Sequence, residues 1–254
     1  MNWQPDWLAR SPLFVPLTTL PQALTHSAGW IDTNQLNQFA TEHGIRNASG
    51  LSIQFSSDTS ALAYEAQIAE TGLVPTRPSN WHDYFNALAW LIWPHSKAAL
   101  NQLHVLAGIT PQRNRQRDAL TLLDESGVIV ACADPALWQL LQQHHWHELF
   151  VVNRERVEKE MAFHVLGHAL YEKALQPYPG MTGKCQVIMV EEDFFGLNNT
   201  QRQHLLDRLL AQQLLQHAPL TPREFAALPV LGIPGATPEN AQPAYYQNTQ
   251  VFRP

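Results

Sequence analysis

The sequence predicts an α+β protein, with a small, mainly antiparallel sheet packed by several helices and an extended C-terminal tail. Several segments of about ten residues or more repeat apolar residues at helical spacing, whereas shorter apolar or alternating runs have the length of strands. The 254 residues are 45% apolar and 9% aromatic, which can fill one substantial core. We therefore expect residues 1–254 to form a single domain. Residues 228–254 should pack over it as a tail, because Tyr245, Tyr246 and Phe252 make disorder there unfavourable.

Helices are predicted where apolar periodicity begins after a capping residue and ends at glycine or proline. Gly44 and Gly72 end the first two, Asn80 caps the third and Pro94 ends it, and Asp134 followed by Pro135 begins another. The predicted helices span residues 33–43, 61–71, 81–93, 96–107, 134–145, 153–175 and 200–216, and Thr221-Pro-Arg-Glu224 has the capping-box pattern of a further helical turn.

Strands are predicted in the short apolar and alternating runs. Leu51–Phe55 alternates, and residues 148–152 and 185–190 are mostly apolar. Residues 118–123, the turn 124–127 and residues 128–132 have the pattern of a β-hairpin. These strands together would form the sheet.

The predicted helix 153–175 contains the most informative stretch of the chain. His164, His168 and Glu172 follow one another at four-residue spacing and lie in one row on an otherwise apolar helix. A helix that is apolar all round is usually buried, and unpaired buried polar groups cost several kcal/mol. The row therefore needs partners, such as a metal, a substrate or other parts of the chain.

The predicted helix 81–93 offers such partners. It is apolar in almost every direction except for His82, Asp83 and Asn86, which share one flank. A histidine oriented by a carboxylate is typical of metal and acid–base sites. Asp83 could also be only a first-turn acid that pairs with the cap Asn80.

Weaker candidates lie between these two segments. Asp118 and Asp124 at the two ends of the first hairpin strand could hold Mg²⁺, or they could be an ion-paired residue and a turn residue. The arginines Arg113, Arg115 and Arg117 could grip an anionic substrate or form an exposed loop. Lys97, Asn101 and His104 share one side of the predicted helix 96–107.

Composition and the absence of several motifs argue against some classes of protein. A net charge of −6 argues against a general nucleic-acid binder. The amino terminus has neither the basic nor the apolar segment of a signal peptide, and no window reaches eighteen apolar residues, so we expect a cytoplasmic protein without a membrane span. Cys132 and Cys185 lie in apolar runs, which favours buried free thiols over a disulfide. Signatures of serine or cysteine nucleophile sites and of phosphate or dinucleotide loops are absent.

Several motifs follow one another along the chain, among them Asn80-Trp-His-Asp-Tyr-Phe-Asn-Ala-Leu88, Arg117-Asp-Ala-Leu-Thr-Leu122, Gly167-His-Ala-Leu170 and Leu228-Pro-Val-Leu-Gly-Ile-Pro-Gly235. In this order they resemble a bacterial family known as domain of unknown function 3025. The resemblance runs from about residue 50 to the end. The Gly-His-Ala-Leu unit is characteristic of that family, whereas a histidine at the position of His164 is not. The resemblance implies no particular activity.

We therefore predict that helices 81–93 and 153–175 pack together around a pocket. His82, Asp83, Asn86, His168 and Glu172 would carry out hydrolysis or another acid–base reaction on a small-molecule substrate. His82, His168 and Glu172 could also ligate a divalent metal such as zinc, although the zinc-protease motif His-Glu-x-x-His is missing. The alternative is a non-catalytic binding or interaction protein whose buried polar residues only specify helix packing. The oligomeric state is left open.

Overall fold

The computed structural model describes residues 2–58, 61–108 and 114–253. Its α-helices are α1 Gln22–Thr25, α2 Thr33–Glu42, α3 Tyr64–Thr71, α4 Trp81–Ile92, α5 Pro94–Leu106, α6 Arg115–Ser126, α7 Pro135–Gln142, α8 Arg154–Glu160, α9 His168–Ala174 and α10 Asn199–Gln216. Its strands are β1 Gln54–Ser56, β2 Leu73–Pro75, β3 Gly127–Cys132, β4 Met161–Val165, β5 Thr182–Met189 and β6 Ala226–Pro229. The α+β class is confirmed.

Side-chain caps define the starts of the helices that matter most for the site. The Asn80 side chain accepts a hydrogen bond from the Asp83 amide at the start of α4, and the Asn114 side chain accepts one from the Arg117 amide at the start of α6. Gly72 ends α3 with φ at 75°, a conformation that glycine adopts without strain. The chain can therefore turn directly from α3 into β2.

The main sheet is mixed rather than purely antiparallel. Its strand order is β4-β3-β5-β6, with β3 parallel to β5 and the two outer pairings antiparallel. Every residue of the central strand β3 is buried, as expected for the continuously apolar run Gly-Val-Ile-Val-Ala-Cys. β1 and β2 form a separate two-stranded parallel sheet.

Three predicted elements differ from the structure. The predicted helix 153–175 is wrong, because α8 ends at Glu160 and residues 161–165 form β4 against β3 before α9 begins at His168. The predicted hairpin is also wrong, because residues 115–126 form α6 and only the second strand exists. Residues 148–152 form a π-helical turn instead of a strand. Residues 148–152 and 161–165 are short, mostly apolar runs, and the periodicity of such runs does not separate a buried strand from a buried helix.

Aromatic packing fixes α9 against α4. Tyr171 of α9 lies with its ring centroid 5.7 Å from that of Phe85 of α4, and its hydroxyl donates to the Val165 carbonyl at 2.5 Å. The indole of Trp93, just after α4, donates to the same carbonyl at 3.1 Å. The beginning of α9 is thus held at a defined distance from α4.

The remaining expectations about the chain concern its tail and cysteines. Val230, Tyr246 and Phe252 of the tail are buried, and the Tyr246 hydroxyl donates to the Gly232 carbonyl. Cys132 and Cys185 are both buried free thiols, as predicted. Among the described residues, the helices include none with the length and apolar character needed to cross a membrane.

Candidate functional site

Five helices bring polar side chains together in the interior. We call this group the polar cluster: Tyr64 and Glu65 from α3, His82, Asp83 and Asn86 from α4, Lys97, Asn101 and His104 from α5, Asp124 from α6 and His168 from α9.

A chain of ionisable groups connects α4 to α9. Arg77 donates to both carboxylate oxygens of Asp83, at 2.7 and 2.9 Å, and the Asp83 carboxylate accepts from His82 Nδ1 at 3.1 Å. His82 Nε2 lies 3.2 Å from His168 Nε2, with the two rings nearly perpendicular. The chain runs from a partly exposed side chain, since His82 is 37% exposed, to a buried one, since His168 is 6% exposed.

A buried ammonium supports the inner end of this chain. Lys97 Nζ donates to Asp124 Oδ1 at 2.5 Å and to Asn86 Oδ1 at 2.8 Å. The Asn86 amide in turn donates to the Tyr64 hydroxyl at 2.7 Å. The second carboxylate oxygen of Asp124 lies 3.6 Å from His168 Nδ1. Asp124 therefore stands between Lys97 and the inner histidine.

A cavity of about 220 Å³ opens onto this end of the chain, and we call it the inner cavity. His168 and Asp124 reach it from one side, and Glu65 and His104 reach it from the other. Its lining is Ala63, Tyr64, Glu65, His104, Arg117, Thr121, Asp124, Glu125 and His168. His168 belongs to this lining; its Nε2 is paired with His82, and its Nδ1 is buried beside Asp124.

The hydrogen bonds determine where protons can sit on the two imidazoles. Because a carboxylate only accepts, His82 Nδ1 must carry hydrogen toward Asp83. If His82 also carries hydrogen on Nε2, it donates to His168 Nε2, and His168 Nδ1 then carries hydrogen toward Asp124. If His82 is neutral, His168 Nε2 must donate instead, which leaves a lone pair on His168 Nδ1. We therefore expect titration of His82 to switch the tautomer of His168.

The pKa values follow from these contacts. The hydrogen bond to Asp83 raises the pKa of His82 above its ordinary value, although partial burial opposes this. Burial also acts to raise the pKa of Asp83, but hydrogen bonds from Arg77 and His82 outweigh it and hold that pKa well below its usual range. Burial lowers the pKa of His168 to about 3, opposed by the charge and the main-chain carbonyl of Asp124. When the pair of His82 and His168 takes up one additional proton, His82 therefore holds it.

Glu65 provides a second titratable group in the inner cavity. Its Oε2 accepts from the Asn101 amide at 2.7 Å, and its Oε1 lies 3.9 Å from His104 Nε2. Burial, with a contribution from the Asp124 charge, raises the pKa of Glu65 to about 7. Near neutral pH this carboxyl group can both hold and release a proton.

Glu65→Gln is expected to stabilise the protein at high pH. The pKa of Glu65 rises from its ordinary value of 4.5 to about 7 on folding, so its stabilising effect is complete below pH 4.5 and is lost as the pH rises through 7. Glutamine keeps the acceptor for Asn101 and does not ionise. We expect a gain of roughly 2 kcal/mol at pH 8 and little change at pH 4, with a melting temperature about 5 °C higher at pH 8. Thermal unfolding of this variant and of the exposed control Glu70→Gln at both pH values measures the effect; equal stability of Glu65→Gln and wild type at pH 8 would contradict it.

Glu172 and His164 are the remaining residues of the row predicted on helix 153–175. Glu172 is half-buried on α9, one turn after His168, and its charge contributes to the raised pKa values of Arg77 and His82. The prediction that His164 shares a helical row with His168 is wrong: it lies on β4 opposite Ile129, and its ring faces Trp93 edge-on. Burial lowers the pKa of His164 to about 4, which favours a neutral, structural side chain.

Some of the weaker candidates lie at the inner cavity and others are exposed. Asp118 and Asp124 do not flank a strand, because both lie on α6; Asp118 is exposed in its first turn, and Asp124 belongs to the polar cluster. Arg115 is exposed at the start of α6, Arg117 lines the inner cavity, and Arg113 lies outside the described residues.

Sequence reasoning missed part of the cluster. The spacing of Lys97, Asn101 and His104 put them on one side of a helix, and the structure buries all three in the polar cluster. The signal was a polar stripe on a helix that also had to contribute to the core. Tyr64, Glu65 and Arg77 carried no such signal.

Divalent-metal binding requires several ligand side chains that converge on one point. Two imidazole Nε2 atoms 3.2 Å apart are spaced as two ligands of one tetrahedral ion would be. Within residues 2–58, 61–108 and 114–253, however, no group of three or more His, Cys, Asp or Glu side chains is placed to hold an ion. The metal site of His82, His168 and Glu172 stays a prediction.

Comparison with known proteins identifies the family. Neither the curated proteins nor the solved structures gave a match to the chain. The family model described as "Protein of unknown function (DUF3025)" matches residues 53–254, which include the whole polar cluster. The chain therefore belongs to the DUF3025 family.

Proposed function

We propose that this chain is an acid–base enzyme that acts on a small polar molecule in the inner cavity. The observation that carries the proposal is the chain Asp83, His82 and His168, which connects a partly exposed imidazole to a buried one that belongs to the cavity lining, with its Nδ1 3.6 Å from Asp124. Oriented histidines of this kind serve as general acids and bases. Hydrolysis, with His168 activating water, is one reaction of this class.

The residues would divide the work by position. His168 would exchange a proton with the substrate at Nδ1, and Asp124 and Glu65 would contact the substrate from the cavity wall. His82 acts through His168: as His168 accepts a proton at Nδ1, its Nε2 proton would pass to His82 Nε2, and Asp83 orients His82 through Nδ1. Glu172 adds negative charge near His82, which favours the protonated imidazole. The negative net charge and the small cavity also support a small-molecule substrate rather than nucleic acid, and the cytoplasmic location stays a prediction.

The Lys97 contact bears on the choice between metal-dependent and metal-independent chemistry. Its ammonium donates to Asp124 Oδ1, which places a positive charge where a divalent ion bound to that carboxylate would otherwise sit. The proposal therefore assigns the acid–base role to the protein side chains. A chelator such as EDTA should leave the activity intact, and loss of activity on chelation would support the metal site of His82, His168 and Glu172 instead.

His168→Gln is expected to lower kcat about a hundredfold, the usual contribution of a general acid or base. Purified protein would be screened against small esters, amides, phosphomonoesters and glycosides, and any activity found would be measured in this variant. His217→Gln, which replaces an exposed histidine elsewhere, is the control and should retain full activity. Asp83→Asn should shift the pH profile, because the main cause of the raised pKa of His82 is removed.

A spectroscopic measurement tests the proton pathway without a substrate. In ¹⁵N spectra of the histidine side chains, His168 should carry its proton on Nδ1 below the pKa of His82 and on Nε2 above it. A His168 tautomer that does not change with pH would contradict the relay. Normal stability without any His168-dependent activity would favour the alternative, a binding protein whose polar cluster specifies helix packing.

A further inference from the structure

The inner cavity presents hydrogen-bond acceptors from three helices. When His82 is neutral, His168 Nδ1 carries a lone pair and no hydrogen, and Asp124 Oδ2 lies 3.6 Å from it. Among the described residues this buried nitrogen makes no hydrogen bond of good geometry, and the groups nearest it, the carboxylate and the main-chain carbonyl of Asp124, are acceptors. When Nδ1 carries a lone pair, a donor beside the pair, within about 3 Å of both Nδ1 and Oδ2, would stabilise the facing acceptors.

Glu65 extends this set of acceptors across the cavity. The Asn101 amide occupies its Oε2, and its Oε1 lies 3.9 Å from His104 Nε2. Tyr64 lies beside Glu65 in the lining, so an aromatic ring is also available to a cation. A donor group with several hydrogens could therefore be bound from more than one side.

The charged groups around Glu65 have a net negative charge when Glu65 is ionised. The charged and titratable groups near it are Asp124, Glu125 and Arg117 from α6, Lys97 and His104 from α5, and His168 from α9. With Glu65 ionised, Glu65, Asp124 and Glu125 carry three negative charges. Arg117 and Lys97 carry two positive charges, so one negative charge is unbalanced. A ligand of charge +1 would balance the group and stabilise the ionised form of Glu65.

We infer that the inner cavity binds a small molecule through a primary ammonium group, which donates to His168 Nδ1, Asp124 Oδ2 and Glu65. This inference rests on the proposed function, because it names the substrate class of the same cavity. The volume of about 220 Å³ is below the roughly 300–1,000 Å³ of sites for drug-sized ligands, so the ligand is a small amine. An ammonium also matches the geometry better than a hydroxyl group, since it has three hydrogens for the three acceptors.

The pH dependence of binding has a defined sign. At low pH, protons on Glu65 and on the His82–His168 pair compete with the ligand, and both are released when the ammonium binds. Affinity should therefore rise between pH 6 and pH 8, by about tenfold from displacement of the Glu65 proton alone, since the pKa of Glu65 is about 7. A neutral ligand should show no such rise.

The experiment is an NMR titration of full-length protein with 1-butylamine and ethanolamine, with 1-pentanol and ethylene glycol as neutral controls. We expect shifts of the His168 and Asp124 signals with the amines, at least tenfold weaker binding of the alcohols, and at least tenfold weaker binding of the amines to Glu65→Gln. Glu70→Gln, an exposed position on the same helix, should bind as wild type does.

The possible outcomes separate this inference from the proposed function. Equal binding of amines and alcohols, no shift at His168 with amines, or unchanged amine binding in Glu65→Gln would overturn the inference. His168-dependent turnover of neutral substrates alone would leave the proposed function intact. Amine binding with no His168-dependent turnover would support the ammonium site and count against the enzyme.

Discussion

Replacing Lys97 with methionine is expected to destabilise the protein by about 3–5 kcal/mol, the largest effect that we expect of a single side chain in the polar cluster. The Lys97 side chain is 4% exposed, and its ammonium contacts Asp124 and Asn86 within an otherwise apolar region. Its removal leaves the Asp124 carboxylate buried without its cation. Methionine has a similar length, so the effect reports the lost charge, including the contact of the ammonium with the Trp90 ring 5.6 Å away.

A double variant separates the charge pair from the packing. Lys97→Met with Asp124→Asn should recover a large part of the loss, because no unpaired buried charge remains. Arg10→Met, which breaks the exposed ion pair with Asp6, is the control and should cost less than 1 kcal/mol. Urea unfolding of the three variants and wild type measures these differences. A cost below 1 kcal/mol for Lys97→Met would mean that water reaches Asp124 freely.

The helix α4 shows how far the sequence determines the site. Its start at Asn80 and its end before Pro94 are marked by a cap and a proline, and the structure has the helix at Trp81–Ile92. Polar residues on an otherwise apolar helix need partners, and that requirement alone suggested that His82 and His168 would meet. The structure places their Nε2 atoms 3.2 Å apart. Their catalytic roles stay predictions.

Asp124 shows where sequence reasoning reaches its limit. Asp-Glu-Ser-Gly has the composition of a turn, yet residues 124–126 end α6, and Gly127 is the first residue of β3. Local turn preference is weak compared with the burial of Ala119, Leu120 and Leu123 on the inner face of that helix. Glu65 is a different case: its helix was predicted, but its burial depends on α5 and α6, which no local pattern reveals.

Gly167→Ala is expected to destabilise the protein by about 3 kcal/mol and to displace His168. A Cβ atom at position 167 would lie 2.5 Å from the carbonyl oxygen of Glu125 and 2.5 Å from the amide nitrogen of Gly127, and neither backbone group is free to move. The chain is already tight at this point, because the amides of Leu166 and Gly167 both donate to the Gly127 carbonyl at 3.0 Å. The φ angle of Gly167 is −68°, so the effect comes from contact rather than from backbone conformation.

The consequence for function follows from where this glycine lies. It immediately precedes His168, and the same close approach that excludes a methyl group brings α9 near enough to α6 for His168 to face Asp124 at 3.6 Å. Thermal unfolding should show the loss of stability, and ¹⁵N spectra should show that the His168 tautomer no longer follows the titration of His82. Gly180→Ala, whose added methyl group would meet open space, is the control and should change stability by less than 0.5 kcal/mol. A Gly167→Ala protein with wild-type stability and an unchanged tautomer switch would show that α9 tolerates a shift, and His168 would then owe its position to its own contacts with His82 and Asp124.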